Sequence, residues 1–433
     1  MSKGIELDCD VLVVGAGPAG IAACVSAAES GARVILIDDN PKPGGQIWRA
    51  SIQDPANPKS HVNDAASWLR RLQACSARQL LSTRAVACLS EKCVLAENEN
   101  GSIEIAFRHA ILATGARELL LPFPGWTLPN VFAPGGLQAL VKSGLPVHGK
   151  RVLVAGTGPL LLAVAAFLKS KGARIEGIYD QASWRRIIPF AMTLIKRPTL
   201  LVSALVYRAS LFSSPLRYGW WPVSASGEDA LRLVTLTNGI QTKTIACDML
   251  ACGFHLIPNT ELQSAFACKL VEGKALVDEW QKTSVNGVFS VGESAGVGGL
   301  DLALIEGQIA GFAATGKEAS ARPLFPKRDA LRKIAAAMDR AFAPRPELRD
   351  LVQKDTIVCR CEDVPWGKLR QHHSMRHARI YTRCGMGPCQ GRVCGAALNF
   401  LTGWESGAKR PPIYPVQLST LIREPQATPK EKP

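Results

Sequence analysis

Short apolar runs alternate with polar and glycine-rich segments along this chain. Residues 11–14 form an uninterrupted apolar run, which predicts a strand buried on both faces. The alanine-rich residues 21–30 predict a helix, and residues 33–37 predict a second strand. The same order of strand, helix and strand returns at residues 151–179. This weak repeat predicts an α/β protein with two three-layer dinucleotide-binding folds.

Further segments complete these two folds. Apolar periodicity predicts helices at residues 63–77, 135–143, 160–171 and 302–314. Short apolar runs bounded by turn residues predict strands at residues 80–90, 103–107, 109–113, 231–237, 240–246, 249–252 and 288–291. Asn238-Gly239 lies between two of these strands and is a dipeptide typical of a hairpin turn.

The turn after the first strand consists of Gly15, Ala16, Gly17, Pro18, Ala19 and Gly20. In such a turn Gly15 allows the sharp bend, Gly17 lets the backbone approach a pyrophosphate, and Gly20 lets the helix pack on the strand. The N-terminus of the helix offers free N–H groups to the phosphate. Asp38 ends the second strand and can accept hydrogen bonds from a ribose. The first strand, the helix, the second strand and its terminal acid all occur at the spacing of a dinucleotide-binding fold. This segment therefore predicts a dinucleotide site.

Two loops provide further candidate contacts for the nucleotide. The Pro- and Gly-rich residues 40–46 and the small-residue turn at residues 113–116 both permit close backbone approach. The candidate contacts in or beside these loops are Asp39, Gly45, Gln46, Thr114 and Gly115. A plain surface turn is the alternative interpretation of residues 40–46.

Gly292 and Glu293 follow the predicted strand 288–291 and precede a glycine-rich segment and a helix. In this arrangement the acid can accept a ribityl hydroxyl, and the helix N-terminus can face the flavin. A dehydrogenase with one NAD-binding fold needs no such distant segment. The combination therefore favours FAD over NAD at the first fold.

The second fold carries an altered glycine pattern. Gly156 and Gly158 are present, but Leu161 occupies the third glycine position. The second strand also lacks a clear terminal acid, with Asp180 as the nearest one. A retained fold without a nicotinamide site and a working nucleotide site both remain open.

Four C-terminal cysteines form two close pairs: Cys359, Cys361, Cys389 and Cys394. Paired thiols on short turns can converge on a metal or a cluster. The gaps within the pairs are one and four residues, whereas zinc ribbons usually have two, so a 2Fe–2S cluster is favoured over zinc. Cys384 is interpreted as a non-ligand. Scattered reduced thiols are the remaining alternative.

Composition agrees with a reduced intracellular α/β protein. Hydrophobic residues make up 47% of the 433 residues, and most of the 13 cysteines are scattered. No secretory leader and no apolar run of 18 residues is visible in the sequence, so we expect a cytoplasmic chain that is not an integral membrane protein. Peripheral association with the inner membrane is compatible with this expectation.

The net charge of +15 is concentrated in the C-terminal part, where 22 Lys and Arg stand against 11 Asp and Glu from Lys317 onward. No aromatic-interleaved basic stripe accompanies this charge, so nucleic acid is not an expected partner. Residues 184–221 are apolar but broken by Arg185, Arg186, Lys196, Arg197, Arg208 and Arg217. They predict a packed insertion or a subunit-contact helix, with an interfacial membrane helix as the alternative.

Five sequence motifs carry a resemblance to a known family. They are Val-Val-Gly-Ala-Gly-Pro-Ala-Gly, Pro-Gly-Gly-Gln-Ile-Trp-Arg, Ala-Thr-Gly-Ala-Arg-Glu, Pro-Gly-Trp-Thr-Leu-Pro-Asn-Val, and Cys-Arg-Cys-Glu-Asp-Val with Thr-Arg-Cys-Gly-Met-Gly-Pro-Cys-Gln-Gly-Arg-Val-Cys. On these motifs the chain resembles the FAD-binding α subunits of hetero-oligomeric amino-acid dehydrogenases. That family includes the α subunits of opine (nopaline/octopine) oxidases and of D-hydroxyproline dehydrogenase, and the FAD subunit of hydrogen cyanide synthase.

The resemblance implies a cofactor set and a partner. It implies FAD at Gly15, Gly17, Gly20, Asp38, Gln46, Gly115 and Glu293, and a 2Fe–2S cluster on Cys359, Cys361, Cys389 and Cys394. It also implies an FAD-containing β subunit of the D-amino-acid-oxidase type that oxidises the substrate, and it allows a small γ subunit. Two residues depart from the family pattern: Cys384 replaces an alanine, and His255 replaces a glycine.

The pattern of the chain, together with the resemblance for the cysteine module, predicts a division into domains. Residues 1–120 with 285–320 form the FAD domain, and residues 121–284 form the second dinucleotide fold with an apolar insertion at 184–222. Residues 321–354 are a linker, residues 355–403 a module similar to bacterioferritin-associated ferredoxin, and residues 404–433 a tail.

The function implied is that of an electron-transfer subunit. The enzyme would oxidatively cleave the C–N bond of an opine or a related amino acid such as D-hydroxyproline. Electrons would pass from the partner's flavin through this chain to an acceptor of the respiratory chain. No proton-abstracting catalytic residue is expected in this chain. The alternatives are a self-contained NAD(P)H-dependent reductase and a non-catalytic assembly subunit.

Overall fold

The computed structural model describes residues 5–48, 59–194, 198–405 and 410–422. The strands are β1 (Ile5–Val14), β2 (Val34–Ile37), β3 (Arg78–Leu80), β4 (Arg84–Ser90), β5 (Cys93–Asn98), β6 (Gly101–Leu112), β7 (Ala116–Glu118), β8 (Val131–Phe132), β9 (Arg151–Gly156), β10 (Arg174–Asp180), β11 (Leu216–Tyr218), β12 (Trp221–Ser226), β13 (Leu233–Thr237), β14 (Thr242–Ala246), β15 (Met249–Gly253), β16 (Leu256–Pro258), β17 (Leu270–Val271), β18 (Lys274–Ala275), β19 (Val288–Ser290), β20 (Ile357–Cys359) and β21 (Val364–Pro365).

The helices are α1 (Pro18–Glu29), α2 (Gly45–Trp48), α3 (Lys59–Ala74), α4 (Pro134–Lys142), α5 (Leu160–Ser170), α6 (Trp184–Leu194), α7 (Pro198–Ser210), α8 (Glu261–Ala265), α9 (Leu300–Ala314), α10 (Glu318–Ala321), α11 (Phe325–Phe342), α12 (Trp366–Leu369), α13 (Met375–Thr382), α14 (Cys394–Thr402) and α15 (Leu418–Leu421). Short 3₁₀ helices lie at Gly292–Ser294, Arg322–Leu324 and Pro346–Leu351. No helix in the described ranges is long and apolar enough to cross a membrane.

The first fold is built on a seven-stranded sheet in the order β3-β2-β1-β6-β5-β4, with β19 paired to β6. Strands β3, β2, β1, β6 and β19 are parallel, so their carboxyl ends lie at one edge. The loops after β1, β2, β6 and β19 therefore meet there, which is the usual ligand edge of such sheets. Helices α1 and α9 pack together against one face of this sheet.

The second fold has a smaller parallel sheet in the order β11-β10-β9-β15-β8. Helices α4, α5 and α7 cover one face through a core of aliphatic side chains. The antiparallel sheet β12-β13-β14 packs on the other side through a second core. Both predicted dinucleotide folds are thus confirmed as α/β layers.

Some element boundaries differ from the sequence prediction. Residues 103–107 and 109–113 belong to the single strand β6, whereas residues 80–90 divide into β3 and β4. The break has a local cause, because Ser82 adopts a φ of 50°, which interrupts a strand.

The predicted linker at residues 321–354 is packed rather than free. It contains α11, whose Leu331 and Ala335 lie in the core of the first fold. Farther along the same helix, Ala341 and Phe342 pack against α6 of the second fold. The helix therefore joins the two folds.

A small C-terminal module follows, built from β20, β21 and helices α12 to α14 around its own core. The indole Nε1 of Trp126 donates a 2.6 Å hydrogen bond to the carbonyl of Ile357, which ties this module to the second fold. Residues 410–422 of the predicted tail lie on the first fold. There Ile413 is buried and its N–H donates to the carbonyl of Val86 at 2.8 Å.

Candidate functional site

The glycine turn after β1 has no space for side chains at two of its positions. A Cβ at Gly15 would lie 2.3 Å from the carbonyl oxygen of Ala113, and a Cβ at Gly20 would lie 1.7 Å from that of Gly15. Gly17 differs, because a Cβ there would meet no atom closer than the Cα of Gly45 at 4.0 Å. The open side of Gly17 can therefore receive a ligand.

The N-terminus of α1 lies at this open side. Gly17 is the N-cap residue, and within the described ranges no side chain caps the first turn. The first N–H groups of a helix lack intrahelical acceptors and favour an anion. The turn thus fits a pyrophosphate group.

Residues 44–46 lie across this turn. The N–H of Gly44 donates to the carbonyl of Ala16 at 2.8 Å. A Cβ at Gly45 would come within 2.9 Å of the Cα of Gly17, so the two backbones touch. Gln46 is the second residue of α2, directly after this contact. The predicted loop is therefore part of the same cradle.

Asp38 holds the turn and the loop together. Its Oδ2 accepts from the N–H of Ala16, and its Oδ1 accepts from the backbone and side-chain nitrogens of Asn40 at 2.7 and 2.8 Å. An ionised carboxylate has about four acceptor positions, so Asp38 retains capacity for a ribose hydroxyl. Asp39 is more exposed, and its carboxylate lies 3.6 Å from Arg84.

Thr114 and Gly115 are joined to the segment after β16. The Thr114 hydroxyl donates to the carbonyl of Asn259 at 2.6 Å, and the Asn259 amide donates back to the Thr114 carbonyl at 3.0 Å. The N–H of Asn259 also donates to the carbonyl of Gly115. Because the Thr114 hydroxyl is used in this way, the loop offers mainly backbone to a ligand. Sequence patterns gave no indication of Asn259.

Glu293 is partly buried, and one oxygen of its carboxylate is both inaccessible to solvent and unused. Its Oε1 accepts from the N–H of Gly299 at 3.0 Å, whereas its Oε2 has no hydrogen-bond partner within the described residues. Burial raises the pKa of Glu293, although the N–H groups of Gly299 and Gly298 lower it. A buried unpaired acceptor is costly, and a ligand hydroxyl would satisfy it. The residues at this edge therefore fit a flavin nucleotide.

A buried ion pair fixes the turn that carries Glu293. The Glu306 Oε2 accepts from the N–H of Gly292 at 3.1 Å, and its Oε1 accepts from Arg332 at 2.8 Å. Glu306 lies on α9 and Arg332 on α11. Neither Glu306 nor Arg332 belongs to a recognisable sequence motif, so their role could not be predicted from the sequence.

The corresponding turn of the second fold is filled by the chain itself. The Thr157 hydroxyl donates to the carbonyl of Phe342 at 3.2 Å. The Gln181 amide donates to the carbonyl of Ala343 at 3.2 Å and accepts from the N–H of Arg345 at 3.2 Å. The end of α11 and the following residues thus cover the place where a nucleotide phosphate would bind.

Asp180 corrects a sequence expectation. The second strand does end in an acid, because β10 runs through Asp180. Its carboxylate accepts from the N–H groups of Gly158 at 3.0 Å and Ala182 at 2.8 Å. Burial raises the pKa of Asp180 to about 7 despite these hydrogen bonds. The acid is thus enclosed in the protein instead of facing a ribose.

The C-terminal cysteines form two neighbouring groups. The sulfur atoms of Cys359, Cys384 and Cys394 lie within 4.8 Å of one another, and all three residues are buried. Cys361 and Cys389 form a second group nearer the surface, where both the N–H and the thiol of Cys389 interact with the thiol of Cys361. The four predicted ligands are therefore distributed as two pairs, and Cys384 adjoins the buried one.

Contacts among the buried thiols favour the thiolate form of Cys359. Hydrogen bonds from Cys384 and Cys394 lower the pKa of Cys359 to about 2, and the N–H of Gly385 lies 3.5 Å from its sulfur. The same contacts raise the pKa of Cys384 and of Cys394. A thiolate stabilised in a buried group of thiols fits a bound metal centre, because thiolates are the ligating form.

Nearby arginines have other contacts. Arg383 pairs with Glu362 at 2.8 Å, and Arg392 donates to the carbonyl of Ile413 at 2.6 Å. Arg360 lies over the ring of Trp126 at 5.5 Å. Arg392 and Arg360 thus attach the module to its surroundings, whereas the pair of Arg383 and Glu362 lies within the module.

Comparison with known proteins agrees with this architecture. Residues 9–204 match the model of the pyridine nucleotide-disulphide oxidoreductase family. The A subunit of opine oxidase from Rhizobium meliloti is 33% identical, with coverage of 95% of this chain and 98% of that protein. The HcnB subunit of hydrogen cyanide synthase from Pseudomonas aeruginosa is 30% identical, with coverage of 88% of this chain and 90% of that protein.

A solved structure has a similar fold. The crystal structure of L-proline dehydrogenase from P. horikoshii superposes with a TM-score of 0.71 at 19% identity, over 98% of this chain and 81% of that one. Together with the match to the oxidoreductase family, the two relatives support a flavin-dependent oxidoreductase subunit that binds FAD. The cysteine group is compatible with an iron–sulfur centre. The chain belongs to the family of opine oxidase A subunits and hydrogen cyanide synthase HcnB subunits.

Proposed function

We propose that this chain is the FAD- and 2Fe–2S-containing electron-transfer subunit of a hetero-oligomeric enzyme that oxidises the C–N bond of an opine or a related amino acid. The observation that carries the proposal is a contrast between the two turns. Within the described ranges no side chain caps the helix after the first turn, whereas Thr157 and Gln181 at the second turn bond to residues 342–345. This contrast favours a nucleotide at the first turn and disfavours a nicotinamide donor at the second, so we infer that the electrons come from another chain.

In this function the residues of the first fold bind and orient the flavin nucleotide. The N–H groups at the start of α1 would face the pyrophosphate, Asp38 a ribose, and Glu293 a ribityl hydroxyl. When bound, FAD accepts two electrons and can release them singly. The hydrogen bonds of Asp38 and Glu306 fix these acceptors before the ligand arrives.

The C-terminal module would hold the one-electron centre. Cys359 with Cys394, and Cys361 with Cys389, supply two thiolate pairs, which is the ligand number of a 2Fe–2S cluster. The proposed electron source is a β subunit with its own flavin. This scheme is supported by the relatives, since both the opine oxidase and the hydrogen cyanide synthase proteins are subunits by name. The respiratory chain is the proposed acceptor.

A spectrum of the purified chain tests the proposal. We expect one FAD and two irons per chain, and no bleaching of the flavin by NADH or NADPH alone. The flavin should bleach when the β subunit is added together with its amino-acid substrate. Rapid bleaching by NADPH alone would instead establish a self-contained reductase, and absence of both flavin and iron would establish a non-catalytic assembly role.

Alanine variants of two buried cysteines test the ligand assignment. Cys394→Ala should lose most of the iron and sulfide, because it removes a thiolate ligand. Cys384→Ala should keep two irons per chain and change only the electron paramagnetic resonance line shape. Both cysteines are buried in the same module, so each variant controls for packing effects of the other. Iron loss in Cys384→Ala with retention in Cys394→Ala would reverse the assignment.

A further inference from the structure

Helices α6 and α7 and the loop after them expose several large apolar side chains. We call this surface the α6–α7 face; it consists of Trp184, Ile188, Met192, Leu205, Val206 and Phe212. Phe212 is 85% exposed and Met192 is 63% exposed. Scattered exposed apolar residues are common, but a group of this size on adjoining helices indicates an interaction surface.

The fold itself does not use this face. On α6, Ile187 and Phe190 point inward and pack against α11. On the side of α7, Tyr207 and Leu211 pack in the core beneath α5. Each helix therefore buries one apolar side and has a second apolar side in solvent. Burial in the protein does not account for that second side.

The charges of residues 181–227 have a single sign. In the described part of this segment the cations are Arg185, Arg186, Arg208 and Arg217, and none of the residues is Asp or Glu. Outside the segment, Glu347 lies near enough to Arg186 for this arginine to lower the pKa of its carboxyl. Arg185 and Arg217 are exposed, and each is next in the sequence to one residue of an aromatic pair. The pair is Trp184 and Tyr218, whose ring centroids are 4.5 Å apart. Lys196 and Arg197 lie outside the described residues. An apolar face bordered by cations is complementary to an anionic surface.

We propose that the α6–α7 face binds the surface of a membrane that contains anionic phospholipids. The helices have 11 and 13 residues, or about 16 and 20 Å, which is too short to cross a hydrocarbon core of about 30 Å. They would lie in the interface, with the apolar side chains among the acyl chains and the arginines at the phosphates. Trp184 and Tyr218 suit the headgroup level.

Lipid explains the surface better than an apolar protein partner does. The core of a protein interface is depleted in charged residues. No Asp or Glu lies in residues 181–227, so the charges of this segment attract phosphate. The proposal is independent of catalysis, because it rests on the outer side of the second fold.

Flotation of the purified full-length chain with vesicles tests this proposal. Vesicles of phosphatidylcholine alone are compared with vesicles that contain equal parts phosphatidylcholine and phosphatidylglycerol, at low and at high KCl. We expect binding to the anionic vesicles and release by salt, because surface charges are screened. Equal recovery in the unbound fraction for both vesicle types would overturn the proposal.

Two variants with matched controls locate the surface. Phe212→Ser should reduce vesicle binding about tenfold, since it removes a large apolar contact with the acyl chains. Arg185→Glu should reduce it about fivefold or more, because it replaces attraction to the phosphates with repulsion. Ile240→Ser and Arg376→Glu are the controls, because both residues are exposed elsewhere on the chain.

The controls should bind like the native chain, and all four variants should keep the same flavin content. Unchanged binding by Phe212→Ser and Arg185→Glu would place the membrane contact elsewhere and contradict the proposal. If these two variants instead lose only the β subunit in size-exclusion chromatography, the face is a protein interface and the proposal is wrong.

Discussion

The turns after β1 and after β9 have the same spacing of their first two glycines, but they differ in backbone conformation and in neighbours. Gly17 has a φ of −75°, whereas Gly158 has a φ of 92°. At the first turn, the direction of a Gly17 side chain is free apart from the Cα of Gly45. At the second, Phe342, Ala343 and Arg345 accept or donate hydrogen bonds where a phosphate would lie. A dinucleotide fold is thus a scaffold whose ligand site depends on what the rest of the chain places beside its turn.

The strand-end acids differ in the same way. Asp38 is held at the edge of the glycine turn, next to the loop at residues 44–46. Asp180 is enclosed with Thr157 and Gln181, and its burial raises its pKa. One acid keeps access to a ligand, while the other has become part of a buried polar network.

Alanine substitutions in the two glycine turns should show the largest difference between the two folds. Gly17→Ala should weaken FAD binding by about a hundredfold or more, because the methyl group enters the space needed by the pyrophosphate. The fold should survive, since that Cβ would meet no atom closer than 4.0 Å. The FAD-to-protein ratio after gel filtration and the far-ultraviolet circular dichroism measure both effects.

Gly158→Ala is the matched control in the second fold. Gly158 has a φ of 92°, so alanine would cost about 1–2 kcal/mol of stability. FAD content should stay at the native level, because no nucleotide is expected at this turn. If Gly158→Ala releases flavin and Gly17→Ala does not, the assignment of the two folds is wrong.

The free energy of unfolding should depend on pH because Asp180 titrates at a different pH in the folded and the unfolded state. The folded-state pKa of Asp180 is about 7, above its usual 3.8, so the folded state binds the extra proton between these values. The free energy of unfolding should therefore fall as the pH rises through this window. Between pH 5 and 7 the contribution is about 2 kcal/mol.

Urea denaturation of the native chain and of Asp180→Asn isolates this contribution. The variant cannot titrate at this position, so its unfolding free energy should change less between pH 5 and 7, although it is less stable overall. Parallel pH profiles for the two proteins would show that Asp180 ionises in water, and that the second turn is open.

The smallest expected effect concerns His255, next to the second fold. His255 has a φ of 149°, a conformation that favours glycine. His255→Gly should relieve backbone strain of about 1 kcal/mol and raise the apparent melting temperature by about 2 °C. The ring of His255 lies 3.6 Å from Asp339, and loss of that pair offsets part of the gain.

Ala267→Gly is a suitable comparison, because Ala267 has a φ of 57° and has no ring to lose. Similar increases in the two variants would attribute the effect to the backbone. A lower melting temperature for His255→Gly alone would show that the contact with Asp339 outweighs the strain.

Local patterns predicted much of the first site. The spacing from Gly15 to Asp38 is set by one strand, one helix and a second strand, so it can be recognised from a short window. The return segment at Gly292 and Glu293 was also recognisable by its order of strand, glycine and acid. The residues that support these groups were not, because Asn259 and Glu306 act through contacts made only after folding.

The state of the second site could not be predicted from its own motif. Thr157 and Phe342 are 185 positions apart, and nothing near Gly156 in the sequence indicates that α11 ends there. The arrangement of the cysteines shows the same limit. Spacing identified two pairs along the chain, whereas the fold pairs Cys359 with Cys394 and brings Cys384 beside them.

Helix α11 has a consequence for amide exchange and domain motion. Its Leu331 is in the core of the first fold, and its last residue, Phe342, accepts a hydrogen bond from Thr157 of the second. Because α11 is fixed in both folds, it restricts hinge motion between them. The N–H of Arg345, which follows α11 and donates to the Gln181 side chain of the second fold, should therefore exchange slowly with deuterium, mainly when the two folds separate.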